Sequence, residues 1–440
     1  MKHIHIYIIL LIGFGTCCNT AKAQNEKKEL LNYSQAVSIA LENNLLIKVE
    51  NNKAEKASNR ATSGNAGLLP TFSVASDIRY TDGVNASVGR EIRHTSTSAG
   101  AELRYILFDG MGNINTFRKL KGEKQSAEFA QRAEIESIIV RVSDHFYNLA
   151  TSYESLRIAE EGMKISSDRL AREKTKFEYG NVNKVAVLQA EVDLVSDSLL
   201  YLDMVNEVAL AKGNLNTLLN REASYDFQID PRVSTFMNLS VDQLKESALK
   251  QNATYLEYTK DTELSKLNLR ITQATLYPSL SLNSSYGWNQ VTQDEFNPQF
   301  DNPAATLNAG LTLSYNIFDG KKKSIERQNA KIDLENSQLL KDQYELDLKR
   351  DIENRYASYQ NNLNKLRLQQ SNLRVAELNF EQVKDRYSLG QMTATEFREA
   401  QLNYLEAQSN LVKARFTAKL DEIDLLRLSG GLLLKKYFSL

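Results

Sequence analysis

The sequence predicts a mostly α-helical chain with a membrane β-barrel part, built from one plan used twice. Three observations carry that expectation. Long segments recur at an offset of 208–210 residues, four short segments alternate between apolar and polar residues, and the long stretches 112–178 and 321–388 contain no proline. The formal net charge of -1 gives no basic surface for nucleic acid or an anionic membrane.

The duplication organises everything else. Residues 31–44 (LNYSQAVSIALENN) resemble 239–252 (LSVDQLKESALKQN), and 68–80 (LLPTFSVASDIRY) resemble 276–288 (LYPSLSLNSSYGW), both at 208. Residues 103–110 (LRYILFDG) resemble 313–320 (LSYNIFDG) at 210, and that offset persists through Tyr179-Gly180 against Leu389-Gly390. A period this long means duplication of a large unit, not a solenoid. The repeats read as 24–230 and 231–440, joined near Asp230 and Pro231.

Ahead of them, Lys2, an apolar run 4–14 and Ala21-Lys22-Ala23 have the form of an export signal, 1–23, cleaved before Gln24. Both cysteines, Cys17 and Cys18, would leave with it. The competing reading is a lipid on Cys17 or Cys18, although Phe14-Gly15-Thr16 is a poor context for it.

Within each repeat the elements follow one order. A helical stretch, about 34–65 and 241–275, is expected to end at Pro70 and Pro278, because proline lacks an N–H and disfavours helix before it. Strands are expected at about 70–82 and 97–108, and again at 278–290 and 306–318. Phe72, Val74, Ile78 and Tyr80 alternate with Thr71, Ser73, Asp77 and Arg79, giving one apolar and one wet face. Asp109-Gly110 and Asp319-Gly320 read as strand-to-helix turns.

The period then becomes helical. Val142, Phe146, Leu149, Tyr153 and Leu156 step by four and three, as do Ile352, Tyr356, Tyr359, Leu363 and Leu366. Each outgoing helix could reach about 100 Å. Gly180 and Gly390 turn the chain back, so helical hairpins are expected over 112–220 and 321–429.

Four strands of membrane length cannot close a barrel, since the smallest need about eight. Open edges in lipid leave backbone groups unpaired at high cost. The barrel must therefore be shared: eight strands in a dimer, twelve in a trimer.

The export signal, the doubled plan, the Leu-Pro and Tyr-Pro steps at Pro70 and Pro278, the two Phe-Asp-Gly exits and the Tyr-Ser-Leu-Gly turn together resemble the outer membrane efflux protein (TolC) family. The resemblance runs from about residue 30 to 434. It implies a homotrimer in the outer membrane, with a 12-stranded barrel continued by a periplasmic tunnel of antiparallel helical hairpins. It also implies an inner-membrane pump and a periplasmic adaptor as partners, in efflux or type I secretion.

The resemblance further implies a periplasmic gate of acidic residues six and nine after the second turn glycine, here Glu396 and Glu399, with Tyr387 three before it. Two roles are open for Glu396, since Thr393-x-x-Glu396 is also a capping box. Glu399 is equally a first-turn acid, and Tyr387 equally an interhelix packing residue. The family's Arg two after this glycine is Met392 here. The acid six after the first glycine is Ala186, which puts an Arg–Asp latch of that type in doubt.

No catalytic set, cofactor motif or metal-ligand spacing stands out. Once the signal is removed only His94 and His145 remain, and Asp144 and His145 are helix neighbours that do not face each other. Two other readings compete. A periplasmic coiled-coil adaptor or tether would lack the strands. A surface adhesin or receptor would use the loops 81–97 and 290–306.

Overall fold

The computed structural model describes residues 29–85, 90–293 and 303–433. The expected export signal, with Cys17 and Cys18, lies outside them.

In chain order the elements are β1 (Leu30–Leu31), α1 (Tyr33–Asn43), α2 (Leu45–Arg60), β2 (Thr71–Asn85), β3 (Arg90–Phe108), α3 (Gly112–Glu178) and α4 (Lys184–Leu218). The second repeat follows with β4 (Gln228–Ile229), α5 (Val241–Gln251), α6 (Ala253–Ala274), β5 (Ser279–Gln293), β6 (Ala304–Ser314), α7 (Lys322–Ser388) and α8 (Ala394–Leu428). The two hairpins are equal in length, with outgoing helices of 67 residues and returning helices of 35.

Four strands form an antiparallel sheet in the order β2-β3-β5-β6, with β2 and β6 as its edges, while β1 pairs with β4 in parallel. Below it, α3 packs along α4 and α8, and α7 along α8 and α6. The main core lies where Leu31, Val37, Val142, Phe146, Tyr147, Leu215, Phe227 and Phe416 meet. The heptad seam read from 142–156 thus faces this core, and Ile352, Tyr359 and Leu366 of the second seam are buried too.

Each expected first helix is broken in two. Asn44 and Asn252 both leave helical geometry, at ψ 129° and 120°, and cap the helix that follows. The Asn44 side chain accepts from Leu46 N and donates to Leu218 O at 2.9 Å. That of Asn252 accepts from Tyr255 N and donates to Leu428 O at 3.0 Å. Each break therefore hooks the end of a returning helix, and the backbones meet closely there. At Gly430, with φ +71°, a Cβ would stand 2.3 Å from the Gln251 carbonyl carbon.

Three boundaries differ from the alternation. Pro70 directly precedes β2 but does not end α2, which stops at Arg60, where Asn65 Nδ2 donates to the Arg60 carbonyl. The first inter-strand loop, expected over 81–97, is mostly ladder: β2 continues to Asn85 and β3 begins at Arg90. Backbone pairing needs no apolar side chains, so the strands outrun their apolar band. Conversely β6 stops at Ser314, because Ser314 already pairs with Ser279, the first residue of β5.

Candidate functional site: an amphipathic sheet and a polar hairpin tip

Paired residues across the sheet share a face, so the register sorts the described side chains between its two faces. Val74, Ala101, Tyr286 and Leu307 form one row, and Tyr105, Leu282 and Leu311 another. On the opposite face run Ser73, Glu102, Ser285 and Asn308, then Asp77, Ser98 and Asn289. One face is apolar across all four strands and the other polar. Phe72, Val74, Ile78 and Tyr80 are 60–77% exposed, with nothing among the described residues to cover them. From Phe72 to Tyr80 the strand runs about 26 Å at 3.3 Å per residue, which at the tilt of about 40° usual in membrane barrels makes a band about 20 Å tall, near the size of their apolar girdle. Among the described residues no helix is long and apolar enough to cross a membrane.

At the junctions, Asp109 Oδ2 accepts from Asn113 N at 2.6 Å and Asp319 Oδ2 from Lys323 N at 3.1 Å. Gly110 and Gly320 have φ of +69° and +68°. A Cβ on Gly110 would meet Ala274 O at 2.6 Å, whereas Gly320 has open space around it. These four residues start the long helices, and Pro278, like Pro70, directly precedes its strand.

The far end of the hairpins is the tip. Gly180 and Gly390, at φ +73° and +77°, end α3 and α7, with Asn181 N bonding back to Lys176 O and Gln391 N to Arg386 O. This left-handed cap reverses the chain without a Cβ penalty. Thr393 and Glu396 form a full capping box: Glu396 Oε2 accepts from Thr393 N at 2.7 Å and from its hydroxyl at 2.8 Å. The bonds from the Thr393 backbone and hydroxyl hold the Glu396 carboxyl below its usual range. Glu399 is exposed on the same helix.

Tyr387 does not face solvent. Its hydroxyl donates to Glu173 of α3 at 2.7 Å, and its ring packs 4.7 Å from that of Phe397. Burial, then the Glu173 carboxylate, push the Tyr387 hydroxyl pKa up. So the tyrosine ties α7 to the first hairpin, and Glu396 and Glu399 do not join it.

The strongest polar contact at the tip was not singled out by sequence. Arg398 grips Asp197 of α4 with two bonds, 2.7 and 2.8 Å, and Ser166 donates to the same carboxylate at 2.5 Å. Buried Arg169 reaches Asp193 at 2.6 Å, while Gln401 donates to Gly162 O and Ser166 Oγ, both at 3.2 Å. Burial raises the Asp197 pKa, but the bonds from Arg398 and Ser166 outweigh it and leave the carboxyl below its usual range. Met392 lies in the turn between α7 and α8 and packs against the Phe380–Phe397 cluster. Ser166, Arg169 and Glu173 step by three and four along α3, so they share one buried face of the helix.

A profile of the outer membrane efflux protein family matches residues 36–221 and 244–431, one match per repeat. The chain belongs to that family. Similar proteins include the probable outer membrane lipoprotein SilC of Salmonella typhimurium, 21% identical over 400 residues, covering 90% of this chain and 85% of SilC. The cation efflux system protein CusC of Escherichia coli (strain K12) is 21% identical over 348 residues, covering 77% and 73%. Among solved structures, the Campylobacter jejuni CmeC outer membrane channel superposes with a TM-score of 0.80 at 18% identity, covering 91% of this chain and 86% of CmeC. The family is one of outer-membrane efflux channels, and the paired strands and doubled hairpins are its fold.

Proposed function

We propose that three copies of this chain form an exit duct through the outer membrane, for substrates expelled by an inner-membrane pump working with a periplasmic adaptor. One observation carries this reading: a four-stranded sheet, apolar on one face and polar on the other, with both edge strands unpaired. Three such sheets close a 12-stranded barrel, satisfy every edge and turn the polar face onto water. The outgoing helices, 67 residues or about 100 Å long, extend the passage inward as a tunnel. A tether has no use for such a sheet, and an adhesin none for such helices.

At the tunnel tip, Glu399 carries the free carboxylate of the gate, while Glu396 divides its charge between the pore and its cap. The name of the relative SilC supports outer-membrane placement, and that of CusC supports cation efflux. Planar-bilayer conductance of the detergent-purified protein tests the reading. Discrete long-lived steps with a cation preference are expected, and Glu396→Gln plus Glu399→Gln should weaken that preference. Folded, membrane-inserted protein that never conducts at any pH would sink the duct. Reversal potentials unchanged in the double variant would remove the two carboxylates from the gate.

A further inference from the structure

The net charge of -1 conceals how charge is distributed along the chain. Three segments lie where the sheet meets the long helices: 110–122 leading into α3, 264–277 closing α6 and 320–332 opening α7. Together they hold ten lysines and arginines and a single acid, Glu326. The expectation of no basic surface thus holds for the chain's total and not for this level.

Six of these cations fall at two heights. Arg118 on α3, Arg270 on α6 and Arg327 on α7 stand about 6–9 Å from the sheet ends of their helices, at 1.5 Å per residue. Lys121, Lys266 and Lys331 stand a turn further away, at about 12–14 Å. All six are exposed, and among the described residues none makes an ion pair or a hydrogen bond. Lys121 alone has a ring beside it, 4.4 Å from the Phe117 centroid. Further from the sheet the same helices pair their charges: Lys124 with Glu128 and Arg132 with Glu136 on α3, Lys260 with Glu263 on α6, and Lys349 with Glu345 on α7. Unpaired cations are therefore a property of this height, not of these helices.

The six also lie off the seams. α3 meets α6 through Gly112, Lys119, Gly122 and Ser126, and α6 meets α7 through Tyr258 and Thr262. On α3 the step Ile114, Arg118, Lys121 puts an exposed apolar residue on the sheet side of two cations, along one face. On α6 the face of Lys266 and Arg270 runs up to exposed Tyr277 just beyond the helix. Exposed Leu107, Ile317 and Phe318 at the strand ends mark the edge of the apolar band there. Apolar side chains followed by cations suit a surface that passes from hydrocarbon through headgroups to water.

Position fixes the partner, because the first layer beyond the apolar band of a barrel in lipid is headgroup phosphate. Attraction to it falls off within a Debye length of about 8–10 Å, so the arginine level is in reach and the lysine level at its limit. Side chains on α3 and α7 tilt toward the helix N-terminus, which at this end is the sheet. We propose that this basic collar binds anionic phospholipid headgroups of the periplasmic leaflet. The proposal rests on the shared-barrel duct argued above.

The test is the lipid that the channel holds when it is withdrawn from vesicles mixing zwitterionic phosphatidylethanolamine with phosphatidylglycerol. Lipid held by the native protein should be about threefold richer in phosphatidylglycerol than the vesicle, and high salt should erase the excess. Arg118→Gln with Arg270→Gln and Arg327→Gln should hold lipid of the vesicle's own composition and conduct as the native protein does. Should that variant fail to assemble, Lys121→Gln with Lys266→Gln and Lys331→Gln gives the same readout with a smaller loss. Native protein that conducts yet holds no excess overturns the collar and leaves the duct standing. An arginine variant with shifted ion selectivity and unchanged lipid puts these side chains in the passage, and overturns the collar too. Protein that gathers phosphatidylglycerol but is washed off by salt, never inserting, keeps the collar and sinks the duct.

Discussion

Asp197 and Arg398 give the tip its most specific single contact, and its pH behaviour has a definite sign. The folded Asp197 carboxyl is held below its ordinary range by Arg398 and Ser166, after burial has pushed the other way. A carboxylate whose pKa is lowered on folding contributes stability that is present above its unfolded pKa of about 3.9 and lost as pH falls through the folded value. The clamp should therefore be unaffected between pH 7 and 5 and loosen only below about pH 4. Amide exchange of the 162–173 segment reads this directly; faster exchange already at pH 5.5 would contradict it. Asp197→Asn should loosen the same segment at neutral pH by about 2 kcal/mol, less than a fully enclosed pair, since Arg398 keeps 17% exposure. Sequence gave little access to this pair, because Asp197 and Arg398 are 201 residues apart and on different hairpins. The only available signal was the spacing of Ser166, Arg169 and Glu173 by three and four, which puts them on one helix face without naming a partner.

At the scale of elements, the long helices and the four strands were legible, because period two and period three-and-a-half are written continuously and twice over. The breaks at Asn44 and Asn252 were not. Asparagine costs a helix only a few tenths of a kcal/mol, and the decisive partners, Leu218 O and Leu428 O, lie 174 and 176 residues away. The recurrence of Asn at both ends of the 208-residue offset was the available hint. Each break replaces one long rod by two that can bend around the core while tying down the end of a returning helix. Asn252→Ala removes a cap, about 1 kcal/mol, and leaves the Leu428 carbonyl without its donor, about 1–3 kcal/mol more. Asn252→Asp keeps the acceptor for Tyr255 N and loses only the donor. Thermal melting should rank native above Asp and Asp above Ala; an Ala variant as stable as native would remove the hook from the account.

For the molecule as a whole, the sheet makes a claim about neighbours that no single residue makes. Its apolar face is useful only against lipid and its polar face only against water, so adjacent residues on one strand belong to different solvents. Val74 and Ser73 are the cleanest pair. Val74 is 73% exposed in the middle of the apolar band, while Ser73 pairs with Glu102 on the polar face. If three sheets close a barrel, Val74→Arg places a guanidinium in hydrocarbon at three points, at about 2–4 kcal/mol each near the midplane. Those costs act together on one assembly, so the yield of trimer should fall by at least tenfold. Ser73→Arg, one residue away, should assemble normally and instead shift the reversal potential toward anions, because its three added charges line the water passage. Were the sheet packed on soluble helices, neither distinction would exist and both variants would behave as tolerated surface changes. The two substitutions together thus separate a membrane barrel from any soluble sheet, on one gel and one bilayer recording.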